Sequence, residues 1–257
     1  MHLLIDIGNS TVVGAIANDN GEIVSTWRFD TIKNQTTDYY IDNLKSGLCA
    51  CGIEPSDIEK TAISSVVPEL NNRFVDAVSK ITGGEPRFFS VIDAERLMDI
   101  DVDFPEQVGK DRLADAIAAA ECYGSPTIVI DMGTATTVGI VTAQRKFVGG
   151  MIIPGVKTSH RALCERASQL SEIDKWEAGS IVGRNTKECM QSGVIFGAAC
   201  MIDGVIDRIN DMFDSQFTIV ATGGMSSVIV PYCKHEIMVD KHLLLKGIYH
   251  AVISANK

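Results

Sequence analysis

The feature that most constrains this chain is a pattern that occurs twice. "HLLIDIGNSTVVGAI" lies at the start and "TIVIDMGTATTVGIV" returns near the middle. Aligned without gaps, Asp6 falls on Asp131, Gly8 on Gly133, Thr11 on Thr136, Val13 on Val138 and Gly14 on Gly139, at a constant offset of half the chain. Each copy is an apolar run, an aspartate, an apolar residue, a glycine, small polar residues and a second apolar run, which predicts strand, tight turn, strand. A carboxylate at a strand end before a small-residue turn can bring backbone N–H groups near phosphate; an ordinary hairpin with a surface aspartate is the other reading of either copy alone. Repetition at half-chain spacing points to an internal duplication, with two similar domains facing each other across a common ligand. The 257 residues accommodate two such domains, 1–122 and 123–257, and the last helical pattern, "KHLLLKGIYHAVISANK", can pack on either.

The rest of each half continues the plan. "NDNGEIVSTWRF" offers a turn and a third strand after the first hairpin, and "TAQRKFVGGMII" does so after the second. Helical periodicity follows in "TTDYYIDNLKSGLCACG" and in "KTSHRALCERASQL". Between the halves, Leu113, Ala116, Ile117 and Ala120 recur with helical period, so Asp111 and Arg112 lie at or just inside a helix N-terminus. There they serve either chemistry or, more plainly, as cap and surface ion pair. "FTIVATGGMSS" is a strand ending in a glycine pair, where an α/β sheet admits a ligand closely. "GRNTKECMQSGVIFGAACMIDGVIDRI" predicts a capped long helix whose Gly193 and Gly197 form a thin stripe for close helix packing.

Two nucleotide motifs are excluded. "GGMIIPGVKTS" resembles a P-loop with one residue inserted, but Val156 separates Gly155 from Lys157 and Pro154 removes a backbone donor. No GxGxxG follows a predicted strand, which argues against a nicotinamide fold. A net charge of -10 argues against nucleic acid and anionic membrane as partners. No run reaches the length of a membrane span and no targeting segment is evident, so a cytoplasmic location is expected. Seven scattered cysteines read as reduced thiols, and Cys49-Ala50-Cys51 lacks the spacing of a zinc or redox pair.

With these residues in view the chain resembles the type III pantothenate kinases, of the superfamily that joins acetate and sugar kinases, heat-shock chaperone ATPases and actin. "IDIGNSTVVGA" is similar to the first phosphate motif, "SSVVP" at Ser64 to Pro68 to a family signature, "VGKDR" to the glycine-x-Asp-Arg motif, and "DMGTATT" with "GGMIIPG" to the second phosphate region; "GRNT" and "ATGGM" follow in order. Lys110 stands where the family often has a small residue, and "DVDFP" lacks a tyrosine commonly found before that proline.

The resemblance implies an α/β fold of two ribonuclease-H-like domains, the duplicated actin-like ATPase fold, with ATP in the interdomain cleft. It implies ATP-dependent phosphorylation of pantothenate to 4'-phosphopantothenate, the first step toward coenzyme A, by a homodimer whose interface helps form the substrate site. Asp6, Ile7, Gly8, Asn9, Ser10, Thr11, Val12, Val13, Gly133 and Thr134 would then bind nucleotide. Gly109, Lys110, Asp111, Arg112 and Thr186 would bind pantothenate, with Asp111 as general base. Asp6 would hold magnesium through water, and Asp131 a monovalent cation, potassium or ammonium. The alternatives are a superfamily phosphatase or ATPase, or a regulatory relative whose catalysis has decayed.

Overall fold

Leu3, Leu4, Ile5 and Ile7 are fully buried because their strand, β1 (His2–Ile7), is central in its sheet. It pairs antiparallel with β2 (Thr11–Ala17) and parallel with β4 (Lys60–Ser65). A strand covered on both faces reads as an unbroken apolar run. β3 (Ile23–Asp30), on the edge, instead alternates partly buried with exposed residues. With β5 (Arg87–Phe88) the order is β3-β2-β1-β4-β5. The structure, a computed structural model, describes residues 1–254.

Two helices complete the first core. α1 (Thr37–Ala50) starts where Thr36 Oγ1 accepts from Tyr39 N, and α2 (Asn71–Thr82) stops at Gly83 in the left-handed region. Tyr40, Leu44, Leu48, Phe74 and Val78 pack with Leu3, Ile5, Ile7 and Val12 in one cluster. Trp27 explains two glycines here. Gly14 is its cross-strand partner and Gly47 lies on α1, and a β-carbon at either position would strike the indole ring. The short α3 (Val91–Glu95) and β6 (Asp99–Ile100) lead to α4 (Lys110–Tyr123), whose face from Leu113 to Ala120 is buried.

The second unit spans Tyr123–Lys241. Its strands β7 (Thr127–Met132), β8 (Ala135–Val141), β9 (Lys146–Pro154), β10 (Thr218–Thr222) and β11 (Met238–Val239) run in the order β11-β10-β7-β8-β9. α5 (Val156–Arg166) and α6 (Thr186–Phe213) follow β9. α6 is long and apolar enough by length and composition to cross a membrane. Its Ile195, Ala199, Ile202, Ile206 and Ile209 lie in the second unit's core with Ile128, Ile130 and Val138. Gly193 and Gly197 do not meet the expected close helix partner; both are exposed and nothing lies within 4 Å of a β-carbon built on either.

The duplication is present with one residue's difference. Asp6 pairs with Val13 and Ile7 with Val12, whereas Asp131 pairs with Thr137 and Met132 with Thr136. Gly8 N donates to Thr11 O at 3.1 Å, but Gly133 N donates to Ala135 O at 3.0 Å. The second turn is therefore one residue shorter. Asp131 and Gly133 correspond to Asp6 and Gly8 as aligned, but beyond the turn Ala135, not Thr136, takes the place of Thr11, and Val138 that of Gly14. The burial sequences of β2 and β8 coincide from Thr11 and from Ala135.

The end of the chain also departs from the domain limits read in the sequence. Residues 242–254 group with Met1–Cys122 and not with the second unit. The contacts are specific. The α-carbon of Gly247 seats on the Ala114 backbone of α4, and Tyr249 Oη donates to Asp19 O at 2.6 Å while its ring covers Gly21. Gly21 has φ +83, so this turn position favours glycine on two counts.

Candidate active site

In the first unit the β1–β2 turn follows Asp6 directly. Gly8 is partly buried, Asn9 and Ser10 are exposed, and Thr31 braces both ends: its Oγ1 donates to Gly8 O at 2.7 Å and its N to Ser10 O at 3.1 Å. Thr31 carries no motif and sequence reasoning passed over it. Ile7 and Val12 are fully buried in the core, so only their main chain is available to a ligand. The "SSVVP" segment lies alongside, since Asp6 pairs with Ser64 and Ile7 with Ser65. Val66 N donates to Ile7 O at 3.1 Å, and Val67 N to Ser65 Oγ at 3.2 Å, which ties that segment to the strand end.

The first turn of α4 presents the acid and the base in sequence. Lys110 opens the helix and Asp111 follows, its Oδ1 accepting from Arg112 N at 2.9 Å. A β-carbon at Gly109 would press on Asp111 Oδ1 and turn that carboxylate. A carboxylate in a first helical turn is favoured by the helix dipole. Arg112 is half-buried; burial lowers its guanidinium from its ordinary value, and the neighbouring Asp111 opposes that shift.

The second unit builds its acidic turn on glycine contacts. Asp131 closes β7 next to Thr222 of β10, and the carboxylate lies on the α-carbon of Gly223, which has φ +85. A β-carbon at Gly223 would collide with Asp131 Oδ1 and with the Met132 backbone. Gly223, the first glycine of "ATGGM", thus supports the carboxylate from below. Gly133 and the exposed Thr134 form the turn, and Gly155 at the start of α5 packs against both their carbonyls. Thr158 Oγ1 donates to Thr134 O at 2.7 Å. Gly155 and Thr158 belong to the discarded P-loop look-alike. "GGMII" is extended strand and no phosphate loop, yet its end fixes the Thr134 turn.

Thr186 is the first residue of α6 and exposed. The helix start is fixed by a reciprocal cap: Asn185 Oδ1 accepts from Glu188 N at 3.0 Å, and Glu188 Oε2 accepts from Arg184 N at 2.8 Å. Along α5 and α6 runs an apolar groove of about 430 Å³, lined by Leu163, Gly193, Gly197 and Met201 among others. Asp6, Gly8–Val13 and Gly109–Arg112 thus belong to the first unit, and Asp131, Gly133, Thr134 and Thr186 to the second.

The family model for type III pantothenate kinase matches residues 2–208. A type III pantothenate kinase of Dictyoglomus turgidum is 37% identical over 252 residues, covering 97% of this chain and 98% of that protein. Two solved structures share the fold. Component A of (R)-2-hydroxyglutaryl-CoA dehydratase from Acidaminococcus fermentans gives a TM-score of 0.57 at 14% identity, over 98% of this chain and 96% of that one. A ROK family glucokinase from Streptomyces griseus, solved with glucose and AMPPNP, gives 0.53 at 13%, over 96% and 97%. The architecture is the expected two-domain, actin-like ATPase fold.

Proposed function

We propose a division of labour among these residues from one premise: the chain belongs to the type III pantothenate kinase family. It is a kinase that uses ATP to phosphorylate pantothenate in coenzyme A biosynthesis. The observation that carries the assignment of roles is that both acidic turns and the Asp111–Arg112 pair survive, each held by contacts specific to it.

The chemistry is phosphoryl transfer from ATP to the primary hydroxyl of pantothenate, which calls for positioning and charge stabilisation. Asp111 takes the hydroxyl proton as that oxygen bonds to the γ-phosphorus and the bond to ADP breaks. The Arg112 N–H on Oδ1 fixes the carboxylate and leaves Oδ2 for the proton. The guanidinium of Arg112, a planar fork of donors, holds the pantothenate carboxylate or a phosphoryl oxygen. Gly109, Lys110 and Thr186 complete the pantothenate contacts. Gly8 to Val13 offer main-chain amides and the Thr11 hydroxyl to the phosphates, with Ile7 and Val12 acting through the backbone alone; Gly133 and Thr134 contact the nucleotide.

The donor sets suit the ions the family implies. Asp6, a single partly exposed carboxylate at a strand end, fits a magnesium ion that keeps most of its water. Asp131, supported so closely by Gly223 that only a glycine fits, would hold a monovalent cation, potassium or ammonium. Such ions, when bound, supply positive charge near the phosphates to a chain of net charge -10. The groove on α5 and α6, together with Ile152 at 70% exposure, supports a homodimer, a second copy covering this face. Packing of the apolar face of α6 into its own core supports a cytoplasmic location.

The test is ADP release with magnesium-ATP, with and without pantothenate, in potassium and then sodium buffer. Pantothenate- and potassium-dependent turnover is expected. Turnover without pantothenate would mark a phosphatase or ATPase, and none from folded protein a decayed relative.

A further inference from the structure

We propose that His2, Asp19 and Glu59 form a site for one divalent ion of the zinc class, at the end of β1 remote from Asp6. The three side chains come from separate segments: the start of β1, the β2–β3 turn, and the residue before β4. One ligand atom from each lies within 4.8 Å of the other two. His2 Nε2 is 3.1 Å from Asp19 Oδ1, a separation close to that of two ligands each about 2.1 Å from a common ion.

The imidazole is the decisive observation. His2 is only 2% exposed, and neither of its ring nitrogens makes a hydrogen bond; the approach to Asp19 lacks the geometry of one. Buried polar nitrogens are generally partnered. An ion at the triad gives Nε2 its partner and draws on two carboxylates that are 65% and 64% exposed, which leaves a path for entry.

The ligands are positioned by bonds that need no metal. Glu59 N donates to Met1 O at 3.0 Å, and Tyr249 Oη holds the Asp19 carbonyl at 2.6 Å. Asn18 Oδ1 accepts from Asn20 N and from Glu22 N, both at 3.0 Å, which sets the turn that bears Asp19. The α-amino group of Met1, 3.3 Å from Glu59 Oε1 and 3.9 Å from Asp19 Oδ1, is a competing cation. One imidazole with two carboxylates selects zinc, cobalt or nickel over magnesium, which prefers oxygen alone. Asp6 is four residue steps along the strand from His2, about 13 Å at the usual rise, so the ion ties the first sheet together and takes no part in phosphoryl transfer.

The experiment titrates the full-length protein with Co²⁺, then with Zn²⁺, in excess Mg²⁺ to occupy oxygen-only sites. One equivalent is expected, with visible d–d absorption and a raised Tm. Asp19→Ala, an exposed change that leaves the fold intact, should weaken binding at least about tenfold, and His2→Gln should remove the absorption band. Unaltered affinity in Asp19→Ala, no ion on folded wild-type protein, or a band of thiolate-to-cobalt character alone would each overturn the site.

Discussion

The Asp131 carboxylate rests on the α-carbon of Gly223, with no room between them for a β-carbon. Asp131 lies on β7 beside Thr222 of the parallel strand β10, and Gly223 directly follows Thr222, so the sheet itself sets the contact. Gly223→Ala should destabilise the protein by about 1–3 kcal/mol, from its positive φ and the displaced carboxylate. Asp131→Asn should keep the fold but raise the potassium concentration for half-maximal turnover by about tenfold or more. Urea melts check the first and turnover against potassium concentration the second; an unchanged potassium curve in Asp131→Asn would remove Asp131 from cation binding.

Asp111→Asn preserves the Oδ1 acceptor for Arg112 N and removes only the proposed base. We expect kcat to fall by about 10²–10⁴ with little change in the circular dichroism spectrum. Near-normal kcat in the folded variant would transfer the proton to another group.

Gly47→Ala tests the seating of Trp27 between α1 and β2. In an open helix this change gains about 1 kcal/mol, but here the new methyl meets the indole, and overpacking costs about 1–3 kcal/mol. Net destabilisation in urea melts is expected. A stabilised Gly47→Ala would mean that Trp27 can move aside.

Acid should weaken the first unit through its histidines. Burial lowers the His250 imidazole, with Lys246 adding to the effect and Glu121 opposing it, and burial lowers His2 likewise. A histidine whose folded value is depressed binds fewer protons folded than unfolded. Its contribution is therefore complete above the unfolded value of about 6.5 and is lost as pH falls below it. Tm should decline from pH ~7 to ~5, and His250→Gln should make that decline shallower. An equal slope in the variant would assign the acid sensitivity elsewhere.

The sequence made the large features legible because they are repeated and short in range. An apolar run ending in Asp-x-Gly predicts a buried strand and turn, and two such runs at half-chain spacing describe two sheets. What escaped depends on register or on distant packing. The ungapped alignment was attractive because it matched Thr11 with Thr136 and Gly14 with Gly139. The pairing, however, follows the hydrogen bond across each turn, and Gly133 closes on Ala135 one residue early. Gly14 answers to Trp27, while Gly139 lies against Phe147, so the two glycines have different neighbours. Thr31 was invisible for a similar reason: nothing local marks a side chain whose work is to brace a turn more than twenty residues away.

The return of residues 242–254 to the first unit has a consequence for how the protein is made. The second unit is continuous and can fold as soon as Lys241 has emerged from the ribosome. The unit that carries Asp6 and Asp111 begins before it and closes after it, because Gly247 and Tyr249 follow Lys241 in the chain. The nascent chain thus carries the Asp6 turn in an unfinished unit while the whole of the second unit is made.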